Sequence, residues 1–178
     1  MKKPILETEF RSTARLSPRD MKRVSFYLGL ASSAFEELLK ELMIPSRPGQ
    51  TYQVSLLICG DNRIRILNRD YRNKDRPTDV LSFPSHENLR KISPAGDEVF
   101  LGDLAISVPT TRRQAKKFKI SVFDEFIHLY FHGLLHLLGY DHEISEEEEK
   151  IMQKWEDRAL DLISDKKKEG PKALSKKK

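Results

Sequence analysis

A single cysteine, Cys59, stands in 178 residues, so no intrachain disulfide can form and a reducing compartment is expected. No apolar run approaches the ~20 residues that cross a bilayer. The uncharged stretch from Val24 to Phe35 is too short, and no membrane association is expected. Behind the two lysines of MKKPILETEF there is no apolar segment, which argues against a signal peptide. No internal repeat is present, and collagen, coiled-coil rod and membrane bundle are poor fits. What remains is a soluble, cytoplasmic chain, 38% apolar and 33% charged, of a length that suits one compact domain.

Excess positive charge is also missing from most of the chain. Net charge is +5, yet the last thirteen residues hold seven lysines against Glu169 alone. That tail carries +6 and leaves the remainder at −1. The basic balance belongs to the tail and does not by itself mark the body as a nucleic-acid binder.

Residues 1–16 show no clear period and are expected to form a flexible arm. Ser17-Pro18-Arg19-Asp20 is a helix start: Ser17 caps, Pro18 suits the first turn, and Asp20 sits near the positive end of the dipole. This helix is expected to reach about Met43, with Gly29 as a point of interruption. Tyr52, Val54, Leu56 and Ile58 alternate as in a strand. Ile64, Leu67 and Tyr71 recur at helical spacing after the turn Gly60-Asp61-Asn62. Thr78–Phe83 and Val99–Val108 read as further strands, and Pro109 opens a basic helix. Ser121–Leu138 is the most apolar helix, ended by Gly139. Ile151, Met152, Trp155, Ala159 and Leu162 mark a last amphipathic helix. One domain is expected over 17–164, followed by a lysine-rich, disordered tail over 165–178.

Three of the five histidines fall within eleven residues, His132-x-x-x-His136-x-x-Gly139-x-x-His142. Residues four apart on a helix lie one above the other, so His132 and His136 can share one metal ion. Gly139 can take positive φ, break the helix and return His142 to the same point. A site of three imidazoles leaves a fourth position open, the pattern of a catalytic zinc that activates water. Zinc is the first choice for this donor set, one ion per chain, although nickel, copper or cobalt could enter it in vitro. The same spacing occurs in metzincin proteases, which carry glutamate directly after the first histidine as general base. Gly133 stands in that place, so peptide hydrolysis is not favoured.

Two basic clusters, Arg63 to Arg76 and Arg112 to Lys119, read as solvated faces on their own. Beside a metal site they become candidate phosphate contacts. Asp141 either caps the turn before His142 or acts there in orientation or proton transfer. His128 lies one turn before His132 and is expected to stack beneath the site rather than ligate. His86 reads as surface, Cys59 as buried and inert, and Glu146–Glu149 as a helix opening.

The segment from His132 to His142 resembles the signature of the YbeY family of bacterial endoribonucleases and rRNA maturation factors. Leu67–Pro84 is similar to that family's second block and Leu101–Ser107 to its third, in the same order, over roughly Val24 to Ile163. The resemblance implies an α+β fold, a small mixed β-sheet covered by helices, with the metal site at the C-terminal end of a buried helix. It implies zinc (Zn2+) on His132, His136 and His142, and Arg72 in the cleft against RNA phosphate. It further implies single-strand-specific RNA cleavage, 16S rRNA 3′-end maturation on the small ribosomal subunit, and ribosome quality control. The nucleophile would be water or an RNA 2′-OH, with Asp141 or a second water as general base. Two other readings stand beside it. One is a non-catalytic assembly factor, with a structural zinc and basic faces for 16S rRNA or a ribosomal protein. The other is a hydrolase of a small phosphoester or peptide.

Overall fold

The computed structural model describes residues 4–91 and 94–169. Alternation along Thr51–Cys59 (β2) sends Tyr52, Val54, Leu56 and Ile58 to one face and Leu57 and Cys59 to the other. Apolar residues on both faces are what an inner strand needs when helices cover both sides. β2 pairs in parallel with Ile5–Ser12 (β1) on one side and with Glu98–Ser107 (β4) on the other. Val80–Pro84 (β3) pairs antiparallel with β4 and ends the sheet, whose order is β1-β2-β4-β3. The sheet is therefore mixed, and with its helices the fold is α+β.

Helices Pro18–Glu41 (α1) and Val122–Leu137 (α4) lie on one face, and Glu146–Glu169 (α5) packs over both. Together they enclose the main core, which includes Phe35, Tyr52, Leu104, Tyr130 and Phe131. Asp61–Arg72 (α2) covers the other face through a smaller cluster of Cys59, Ile64, Leu81 and Ala105. Val108–Phe118 (α3) links β4 to α4.

A bulge shapes β4. The register shifts opposite Gln53 and Val54, where Gly102 takes φ 138°. Before it Val99 and Leu101 face the main core; after it Leu104 and Ile106 do. The extra residue, Leu101, reverses the alternation, and only glycine fits at the next position, because a Cβ on Gly102 would stand 2.2 Å from the Phe83 carbonyl oxygen.

Three expectations need correction. Residues 5–12, expected in the loose arm, form β1: Leu6 is buried, Phe10 packs on the core, and Thr8 Oγ1 lies 2.6 Å from the Tyr130 hydroxyl. The helix from Ser17, whose Oγ accepts from the Asp20 amide, passes Gly29 without a break. Residues 165–169, expected in a disordered tail, are the last turn of α5. Lys166 pairs with Glu37 at 2.7 Å, and Lys167 pairs with Asp124 while lying over the Tyr27 ring. Lysine stems cover apolar surface while their heads find acids. The rest of the expected tail, 170–178, lies outside the described residues. Among the described residues no helix is long and apolar enough to cross a membrane.

Candidate metal centre and cleft

Helix α4 is buried on most sides: its own Phe123, Phe126, Tyr130, Phe131, Leu134 and Leu135 are all inaccessible or nearly so. Its start is capped by Ser121 Oγ, which accepts from the Asp124 amide at 3.0 Å. Its end is a glycine cap. The Gly139 amide donates to the His136 carbonyl and the Tyr140 amide to the Leu135 carbonyl, each at 3.0 Å. Gly139 has φ 97°, and a Cβ on it would lie 2.7 Å from Asn88 Oδ1 and 3.0 Å from Asn88 Cα. Glycine is required twice here, by dihedral and by space.

The turn carries His142 back to the helix, as the spacing suggests. Ring centroids are 4.8 Å apart for His132 and His136, and 5.2 Å from each of these to His142. Their ligating nitrogens all lie within 4.8 Å of one another. Burial, together with the neighbouring His132 and His142, lowers His136 to about 4, so its imidazole is neutral and its lone pair available at neutral pH. Three imidazole nitrogens converging at one point fit a divalent ion such as zinc. Among the described residues this trio is the group of histidine, cysteine or acidic side chains that could hold an ion, and Asp141 is not part of it.

Asp141 is half-buried at the same turn. Its Oδ1 accepts from the Glu143 amide at 2.9 Å, so the carboxylate holds the turn that presents His142. The turn is buttressed from outside. Arg90 pairs with Glu148 at 2.7 Å and lies 4.3 Å over the Tyr140 ring.

Behind His132 stands a residue that sequence reasoning missed. Glu156, in α5 and 6% exposed, receives His132 Nδ1 on Oε1 at 2.7 Å and His128 Nε2 on Oε2 at 3.2 Å. Burial alone would raise the Glu156 carboxyl, but hydrogen bonds from the two histidines outweigh it and hold it at about 2. The hydrogen bond to Glu156 in turn raises His128. His128 therefore does not stack beneath the trio; it turns away to Glu156 and to Glu125, whose Oε2 is 3.7 Å from Nδ1. The signal for Glu156 was there to see: Met152, Glu156, Ala159 and Ile163 share one buried face of α5, and one of them is an acid.

The trio opens into a cleft of about 590 Å³ that wraps the free edge of β3. Arg72, at the end of α2, lines it together with Lys74 and Arg76, and none of the three has an ion-pair partner among the described residues. The other basic residues divide differently. Arg65 is paired with Asp75 and Arg69 with Asp70, at 2.8 Å each. Arg113 is paired with Asp61. Asp79, also in the cleft, accepts from Gln114 Nε2 at 2.7 Å and from the Val80 amide at 2.8 Å, tying β3 to α3. Cys59 is fully buried, and its thiol is pushed up to about 11 by burial.

Comparison with known proteins follows the same lines. A family model described as Endoribonuclease YbeY matches residues 22–164. A protein of that name from Sulfurihydrogenibium sp. (strain YO3AOP1) is 38% identical over 129 residues, 72% of this chain and 78% of its own. Another from Pelotomaculum thermopropionicum is 42% identical over 136 residues, 76% of this chain and 86% of its own. A solution structure of a Thermotoga maritima protein superposes with TM-score 0.56 and 23% identity over 92% of this chain and 94% of its own, a likeness of fold.

Proposed function

The chain belongs to the endoribonuclease YbeY family, and from that premise we propose that it is a zinc-dependent endoribonuclease of single-stranded RNA. The observation that carries this reading is the meeting of three histidines and Arg72 in one open cleft. His132, His136 and His142 would hold the ion. When bound, it supplies Lewis-acid polarisation of a phosphoryl oxygen and activation of the attacking oxygen.

The chain's own residues do the rest. Arg72 offers a planar fork to phosphate oxygens and offsets the charge that develops on them. Lys74 and Arg76 extend the positive lining along the backbone path. Asp141 fixes the turn through Oδ1 and, with its other oxygen, would accept the proton that the attacking water or RNA 2′-OH gives up as it bonds to phosphorus. A cleft at the rim of an edge strand suits an extended strand whose bases can splay outward. The family resemblance supports the finer assignment: maturation of the 16S rRNA 3′ end on the small ribosomal subunit, and ribosome quality control, in the cytoplasm. A three-residue donor set with a position left open favours catalysis over a closed structural zinc.

The test is cleavage of a single-stranded rRNA fragment by the purified protein, with metal content measured on the same sample, for wild type and His136→Ala. Wild type is expected to hold about one ion per chain and to cut; the variant is expected to do neither. A variant that cuts at the wild-type rate without metal overturns the reading. A wild type that holds zinc yet cuts no RNA, alone or with small subunits, moves the protein to the non-catalytic assembly role.

A further inference from the structure

We propose that Glu156 is the positioning residue of the metal centre, fixing the His132 ring so that Nε2 is the nitrogen left to ligate, with His128 anchoring the carboxylate from its other side. The inference rests on the metal-centre reading above and adds to it a component that lies outside the histidine motif.

Three observations carry it. The first is geometric. One carboxylate spans two histidines that sit one turn apart on α4, with Oε1 on His132 at 2.7 Å and Oε2 on His128 at 3.2 Å. Both oxygens are engaged, so the carboxylate has little freedom to rotate, and the ring bonded to it is held in turn. An imidazole that gives Nδ1–H to a carboxylate presents Nε2 as its acceptor atom, and this arrangement strengthens it as a ligand.

The second observation is where the residue stands. Glu156 shares the buried face of α5 with Met152, Ala159 and Ile163. Were packing the sole requirement, an apolar side chain would serve, since a buried carboxylate carries a desolvation cost that must be met by specific partners. The partners that meet it here are a ligand histidine and its neighbour.

The third is the arrangement around His128. It is flanked by acids from two helices, Glu156 of α5 and the nearly inaccessible Glu125 of α4, and lies within hydrogen-bond distance of Glu156 alone. The pair orients His128 toward Glu156 and away from the cleft.

The test is zinc affinity by chelator competition on the full-length protein, for wild type, Glu156→Gln and Glu156→Ala, with thermal unfolding of the metal-free forms recorded alongside. Glu156→Ala is expected to weaken zinc binding about 10–100-fold. Glu156→Gln keeps the shape and an acceptor for Nδ1–H and is expected to lose less. Wild-type zinc affinity in both variants overturns the proposal, and so does a drop in metal-free melting temperature with unchanged affinity, which makes Glu156 a packing residue. If Glu156→Ala does not fold, Glu156→Gln decides alone: weaker zinc binding supports the role, wild-type binding overturns it. A wild type that binds no zinc fails earlier, at the metal-centre reading itself.

Discussion

Gly133 lies so close to Leu104 that a Cβ on it would stand 2.7 Å from Leu104 Cδ2 and 3.1 Å from Ser82 Oγ. The position that metzincin proteases give to a catalytic glutamate is here pressed onto the sheet. Helix α4 approaches β3 and β4 at this point, and Ser82 Oγ reaches the Gly133 carbonyl at 3.3 Å. Gly133→Ala is expected to destabilise the protein by about 1–3 kcal/mol through overpacking, measured by urea unfolding. An unchanged midpoint would mean that Leu104 swings aside freely.

Gly139→Ala is expected to cost about 1–2 kcal/mol from the left-handed dihedral, beyond any contact with Asn88. The same change should displace His142 and lower the zinc content of purified protein. Adding Asn88→Ala removes the side-chain part of the clash, so the double variant should be less destabilised than the two single effects summed.

Arg72→Ala is expected to reduce cleavage of single-stranded RNA about 100-fold while zinc stays bound. Arg65→Ala, on the same helix but paired with Asp75, should change the rate far less. Loss of zinc from Arg72→Ala would instead give that arginine a structural role.

Stability of the metal-free protein should fall with acid. His136 is lowered to about 4 in the fold against its ordinary 6.5, so the unfolded chain takes up the proton first as pH drops. Its contribution is complete above 6.5 and is lost between 6.5 and 4. Glu156, held at about 2 against 4.5, adds the same sign of change below 4.5. Urea unfolding across this range should show a flatter profile for His136→Gln between pH 6.5 and 4; an identical profile would mean that His136 does not set the slope.

The meeting of the three histidines was legible because its geometry is local. Two histidines four apart and a glycine three residues on are a helix face and its end, and nothing distant can alter that. Arg72 became legible through the family block around it. β1 was missed although Leu6, Thr8 and Phe10 alternate with Glu7, Glu9 and Arg11, because a short edge strand is specified by its neighbour more than by itself. The final turn of α5 was hidden by lysines that read as tail until their partners, Glu37 and Asp124, were in place. Glu156 was one acid among several, and what distinguishes it is a pair of histidines more than twenty residues away.

The two ends of the described chain meet on α4, and the order of synthesis gives this a consequence. β1 is made before β2, whose first residue Thr51 pairs with Ile5, and before Tyr130, which Thr8 meets. Once residue 142 has been made all three histidines exist, but Glu156 has yet to be added and α5 has yet to dock. A nascent chain halted between those points would have its ligands without the carboxylate that steadies one of them. On the role proposed for Glu156, such a product would hold its ion more weakly than a chain translated through α5.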